Sequence, residues 1–126
     1  MEDTRYYVSE YWHVVGADQM KADLLNGPIS CAIQATEEFD QYDGTYIYSQ
    51  DVGVPELNHA IAVVGYGKTS EGQEYWIGRN SWGTYWGDYG FFYMNMYENN
   101  LGIETDCLAG TPTYDKPKSA VEQFTQ

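Results

Sequence analysis

Two apolar runs, Ala60-Ile61-Ala62-Val63-Val64-Gly65-Tyr66 and Glu74-Tyr75-Trp76-Ile77-Gly78, flank the polar link Gly67-Lys68-Thr69-Ser70-Glu71-Gly72. Short runs rich in β-branched and aromatic residues, joined by a Gly-containing link, predict a β-hairpin. If the link is symmetric, His59 faces Asn80 at the open end. Directly opposed residues have Cβ atoms about 4.5–5.5 Å apart, within reach of a side-chain hydrogen bond. A slip of one residue would send the two side chains to opposite faces.

The pattern before the hairpin predicts smaller elements. Residues 6–16 alternate loosely and read as an extended segment entering the domain, with His13 a surface strand residue. Asp18 is placed to N-cap a short helix that turns Met20, Leu24 and Leu25 inward and stops at Asn26-Gly27, with Pro28 preventing continuation. Residues 29–34 read as a core strand, and Thr36-Glu37-Glu38-Phe39 as the N-cap and first turn of a second short helix. Asp43-Gly44 is a turn and Tyr46-Ile47-Tyr48 a short strand, and residues 51–56 form a loop leading to Leu57-Asn58-His59.

After Asn80, residues 81–90 are too Gly-rich for a helix and too aromatic for a solvent loop, so they are expected to fold over the His59–Asn80 pair, with Trp82 as a roof and Trp86 beside it. Residues 90–96 form a third strand. The sum is an α+β, mainly β chain: a curled antiparallel sheet with short helices. One domain is assigned to residues 1–112. Residues 111–126 hold Pro112, Pro117 and little apolar content, so the tail, 113–126, is expected to be loosely held.

The 126 residues suffice for one modest domain, and 43% apolar with 17% aromatic content argues for a packed core rather than disorder. Six Lys and Arg against 19 Asp and Glu give a net charge of −13. That sign disfavours nucleic acid and anionic membrane surfaces as partners, and fits a solvated acidic surface better than a dedicated cation site. Two cysteines and two histidines without ligand-type spacing imply no metal, and no cofactor motif is present. No apolar stretch is long enough for a membrane helix, and Met1 to Arg5 shows no apolar leader region.

An imidazole with one ring nitrogen held by an amide oxygen keeps the other free to exchange a proton, the base of a Cys-His-Asn site. The plainer alternative is a satisfied histidine at a strand start and a turn asparagine. The flanking motifs weigh against it. Asn26-Gly27-Pro28-Ile29-Ser30, Asn58-His59-Ala60, Val64-Gly65-Tyr66-Gly67, Tyr75-Trp76-Ile77, Arg79-Asn80-Ser81-Trp82-Gly83, Trp86-Gly87-Asp88-Tyr89-Gly90 and Gly102-Ile103-Glu104 resemble the papain family of cysteine peptidases. The resemblance runs over residues 6–112 and is closest to the cathepsin X and cathepsin B branches.

That resemblance implies the barrel-like right-hand lobe of a papain-like fold. It makes His59 the general acid/base, Asn80 its orienting partner and Trp82 their shield. Leu57 and Ala60 look like walls of the pocket for the second residue before the scissile bond, with ordinary strand packing as the alternative. Asp106 looks like its acidic floor, where a basic residue is tolerated, with an exposed acidic turn as the alternative. Cathepsin X-like chains place cysteines near Cys31 and Cys107, which implies a disulfide between them; two buried thiols are the other possibility. Leu101 stands where relatives usually carry a cysteine.

The resemblance also has a gap. In the family the nucleophilic Cys precedes the His by about 130–150 residues in a Gly-rich helix start, whereas here only 58 residues precede His59. Cys31 sits in the strand-like run Ile29-Ser30-Cys31-Ala32-Ile33, not at a helix N-terminus that would depress a thiol pKa. The chain is therefore expected to be the carboxyl-terminal half of a cysteine peptidase, acting on peptides once an amino-terminal half supplies the thiol. The alternative is an inactive, peptidase-derived lobe serving an assembly. Either way, a partner is expected to cover the exposed cleft wall, and a complete cathepsin-like precursor would be lysosomal or secreted.

Overall fold

The structure, a computed structural model, describes residues 5–115. Its elements run β1 (Arg5–Val14), α1 (Ala17–Leu24), β2 (Ile29–Ile33), α2 (Glu37–Asp40), β3 (His59–Lys68), β4 (Glu74–Arg79), β5 (Phe91–Asn95), a 3-10 turn at Asn100–Gly102 and β6 (Cys107–Asp115). The six strands form one curled sheet in the order β1-β6-β2-β3-β4-β5, each pair antiparallel. This is the mainly β architecture with short helices that the pattern predicts.

The hairpin forms, but in a different register. Thr69 N–H donates to the Gln73 carbonyl (2.8 Å) and Gly72 N–H to the Thr69 carbonyl (2.9 Å), closing the link so that Lys68 pairs with Glu74. A bulge between Val63 and Gly65 then leaves Val63 opposite Gly78 and Ala62 opposite Arg79. Symmetric pairing would have set Ala62 against Ile77, two residues earlier. The slip is even, so His59 and Asn80 keep a common face and meet diagonally rather than directly.

Alternation puts Ile29, Cys31 and Ile33 of β2, Ile61 and Val63 of β3, Trp76 of β4, Phe92 and Met94 of β5, and Cys107 and Ala109 of β6 into one core. Helix α1 adds Met20 and α2 adds Phe39. The other face of β2, β3 and β6 is uncovered: Ser30, Ala60, Val64 and Leu108 are exposed there. Gly78 serves the core by lacking a side chain. A Cβ there would stand 2.2 Å from the Phe92 ring, which lies across β4 and meets Phe39 edge to face at 5.2 Å.

Three local expectations change. Helix α1 begins after Gly16 with no side-chain cap, and Asp18 sits in its first turn instead. Leu24, four residues after Met20, shares its face and packs on the core, whereas Leu25, five residues on, is 82% exposed. Tyr46-Ile47-Tyr48 makes only one bridge, Tyr48 to Met94, rather than a strand. Thr36 does cap α2, its Oγ1 accepting from Phe39 N–H at 3.1 Å. Strand β1 pairs with β6 from Val14↔Cys107 to Arg5↔Asp115, so β6 crosses the boundary set at 112. The remainder of the tail lies outside the described residues.

Cys31 and Cys107 face each other across β2 and β6 and are joined by a disulfide, 76 residues apart in sequence. Closing a loop of that length lowers the entropy of the unfolded chain by about 4 kcal/mol in the chain-entropy model. The bond ties β6 to the centre of the sheet, and β1 is held through β6.

Replacing both Cys31 and Cys107 by Ala is expected to destabilise the domain by about 2–5 kcal/mol, measured as a fall in the denaturant midpoint against the oxidised protein. A second expectation concerns alkali. Tyr42 donates to the Tyr46 carbonyl at 2.5 Å, and burial pushes its hydroxyl up to about 12. A folded-state pKa above the unfolded value favours the protonated, folded form. That stability is complete below pH 10 and is lost as pH rises through about 12. Tyr42→Phe is expected to flatten that loss in alkaline unfolding curves.

Candidate active site

The approach to β3 is clamped at Asn58, whose backbone N–H donates to the Ile33 carbonyl (3.0 Å) while its Oδ1 accepts from Ala35 N–H (3.0 Å). This fixes His59 beside Ile33 at the first position of β3. Asn80 follows the last residue of β4, and its N–H donates to the Gly90 carbonyl at 2.9 Å. Gly90 N–H in turn donates to the Trp86 carbonyl at 2.8 Å, so residues 81–90 close on themselves as a compact loop. Gly87 and Gly90 take positive φ angles of 62° and 93°, which a side chain at either position would strain.

Asn80 Oδ1 has two partners, the Ser81 backbone N–H at 2.8 Å and His59 Nε2 at 2.8 Å. A backbone N–H can only donate, so the atom it meets is the amide oxygen, not the nitrogen. That oxygen can only accept, so His59 Nε2 carries a hydrogen and Nδ1 is the nitrogen left to exchange a proton. Sequence reasoning found the two side chains but not Ser81 N–H, the contact that sets the direction of the amide.

Trp82 lies over the imidazole, with ring centroids 4.9 Å apart and planes 25° from parallel. It is held in turn by Trp86, edge to face at 5.2 Å, and by Phe39 at 6.0 Å. Trp86 Nε1 donates to the carbonyls of Phe39 (3.2 Å) and Asp40 (3.1 Å), anchoring the loop to α2. Asn80 is only 5% exposed beneath this cover, and a hydrogen bond shielded from water is electrostatically stronger. Phe39 touches Tyr48, Trp82, Trp86 and Phe92. Its role in carrying the roof had no signal in the sequence beyond its place after a helix cap.

The expected pocket residues separate into two groups. Ala60 pairs with Ala32, and Ala32 N–H donates to the Asp106 carbonyl at 3.0 Å. With Cys31 opposite Cys107, this sets Ala60 of β3 and Ala32 of β2 side by side on the uncovered face, with Asp106 next in line just before β6. Ala32, the middle of the row, was not anticipated. Leu57 lies apart with Pro55 against Gly102, at the 3-10 turn. Ala60 also borders an open depression of about 500 Å³, lined with Ser30, Ala62, Arg79, Asn80 and Tyr89. Among the described residues, no cluster of His, Cys, Asp or Glu is arranged to hold a metal ion.

The pattern of the papain family cysteine proteases matches residues 2–111. Cathepsin Z of Onchocerca volvulus is 43% identical over 118 residues, covering 86% of this chain and 38% of that protein. Fruit bromelain of Ananas comosus is 42% identical over 90 residues, covering 70% of this chain and 25% of that protein. The bromelain protease structure from the same plant superposes with a TM-score of 0.75 at 32% identity, covering 83% of this chain and 51% of that one. The chain thus spans well under half the length of these curated relatives. By sequence motif, by identity and by fold, this chain belongs to the papain family of cysteine proteases.

Proposed function

We propose that the chain is the acid–base half of a papain-like cysteine peptidase, with the attacking thiol contributed by protein outside these 126 residues. The observation that supports this most strongly is the His59 Nε2–Asn80 Oδ1 hydrogen bond beneath Trp82. Packing alone does not require a single proton-exchanging nitrogen at the end of a sheet.

The chemistry divides as follows. A thiol gives its proton to His59 Nδ1, and the thiolate attacks the peptide carbonyl, forming a carbon–sulfur bond. Imidazolium Nδ1–H then protonates the departing amine as the carbon–nitrogen bond breaks, leaving a thioester and neutral His59. A water gives a proton to Nδ1 and attacks the thioester, and the same proton returns to the sulfur on release of the acid. Asn80 Oδ1 keeps the ring oriented through each exchange and stabilises the imidazolium, while Trp82 keeps water from that bond.

Ala60 and Asp106 would form part of the pocket for the second residue before the scissile bond, and Leu57 would contribute from its edge. The partner would cover the exposed face bearing Ser30, Ala60, Ala62 and Arg79, whose small residues admit close approach. A lysosomal or secreted setting suits the Cys31–Cys107 disulfide, since such bonds persist where thiols are oxidised.

The second reading, an inactive lobe retained for assembly, is favoured by that same disulfide: it joins the only two cysteines in the chain. Mass spectrometry of the native material separates the two. The peptidase reading predicts a co-purifying papain-like amino-terminal segment and alkylation of its cysteine by an epoxide. Absence of both would leave the inactive lobe. In the assembled enzyme, His59→Ala is expected to lower kcat/KM by about 10²–10⁴-fold, with an unchanged unfolding midpoint. Asn80→Ala should cost less, because it frees the ring without removing the base. Unfolding of His59→Ala would show that the pair serves packing.

A further inference from the structure

The imidazole of His13 on β1 stands over the carboxylate of Asp106, with Nδ1 and Oδ1 3.4 Å apart. The two residues reach each other through the sheet register. His13 pairs with Leu108 across β1 and β6, and Asp106 is two positions before Leu108, so both side chains project from the same uncovered face. That face also carries Ala32 and Ala60, in line with Asp106. Val14 and Cys107, the neighbouring positions, are both buried on the opposite face.

We propose that His13 is a positioning residue for substrate selection, competing with a basic side chain for Asp106. This rests on the assignment of Asp106 to the floor of the pocket for the second residue before the scissile bond, and adds a residue from a strand remote in sequence. The separation of 3.4 Å is long for a directional hydrogen bond, so the imidazole covers the carboxylate without locking it. The imidazole occupies a side of the carboxylate that an incoming Lys or Arg would use. Asp106 is half exposed and His13 largely so, which makes the pair weak enough for a substrate cation to displace. Arg79 borders the depression beside Ala62, near the other end of the row from Asp106.

The test uses the assembled enzyme and two fluorogenic peptides that differ only in Arg or Leu at the second position before the cleaved bond. The readout is the ratio of their kcat/KM values, which a general loss of fold or catalysis would leave unchanged. His13→Ala is expected to raise the preference for Arg by about two- to fivefold, the range measured for exposed charge pairs. His13→Lys, which sets a fixed cation beside Asp106, is expected to return the ratio to or below that of the wild type. In the Asp106→Ala background, His13→Ala should have no effect on the ratio. If Asp106→Ala alone lowers the preference for Arg but His13→Ala does not raise it, the role of His13 is overturned while the pocket stands. If Asp106→Ala leaves the ratio unaltered, the pocket assignment fails and the proposal with it.

Discussion

One oxygen atom fixes the geometry of the candidate site. Asn80 Oδ1 accepts from Ser81 N–H and His59 Nε2 at the same distance, 2.8 Å. The first contact is local and settles which end of the amide faces the imidazole; the second settles which imidazole nitrogen bears hydrogen. Everything around them maintains that geometry. Trp82 covers the ring, Trp86 and Phe39 hold Trp82, and Gly78 makes room for Phe92 behind them. The orientation of Asn80 therefore depends on an aromatic cluster built from α2, β5 and the loop between β4 and β5.

The two faces of the sheet differ in cover and in side-chain size. The buried face joins all six strands through one core, and the disulfide crosses β2 and β6 from that side. On the opposite face, Ser30, Ala32, Ala60 and Ala62 present small side chains with Arg79 nearby. A surface of this kind has little to pack against itself, but another protein can approach its backbone closely. In a chain with a net charge of −13, most repulsion falls elsewhere, since few of the residues lining that face carry charge.

Much of this architecture was legible because period-2 alternation is a local signal. β2, β3, β4 and β5 follow directly from runs of apolar and aromatic residues, and Thr36 announces α2 through its cap. The hairpin register was misplaced because the pattern does not reveal a bulge at Val64 or the turn that pairs Lys68 with Glu74. It misplaced His59 by an even step, which left His59 and Asn80 on one face. The β1–β6 pairing was hidden because its strands lie at opposite ends of the chain and only their contact in space identifies them. Leu25 was assigned inward on hydrophobicity, but helical geometry turns it away from Met20.

The candidate site followed the same division. His59, Asn80 and Trp82 were visible from their motif, while Ser81 N–H, Phe39, Ala32 and the contact of His13 with Asp106 entered through folding, since each is placed by contacts that no local motif reveals. Membership of the papain family explains why those motifs occur together, and the hydrogen-bond pattern explains what each does. The most direct check on that pattern is long-range ¹H–¹⁵N correlation NMR of the histidine side chains in the folded domain. The account predicts that neutral His59 carries its hydrogen on Nε2, with Nδ1 showing the shift of an unprotonated nitrogen. A neutral His59 protonated on Nδ1 would contradict it, because Asn80 could not then accept from the ring.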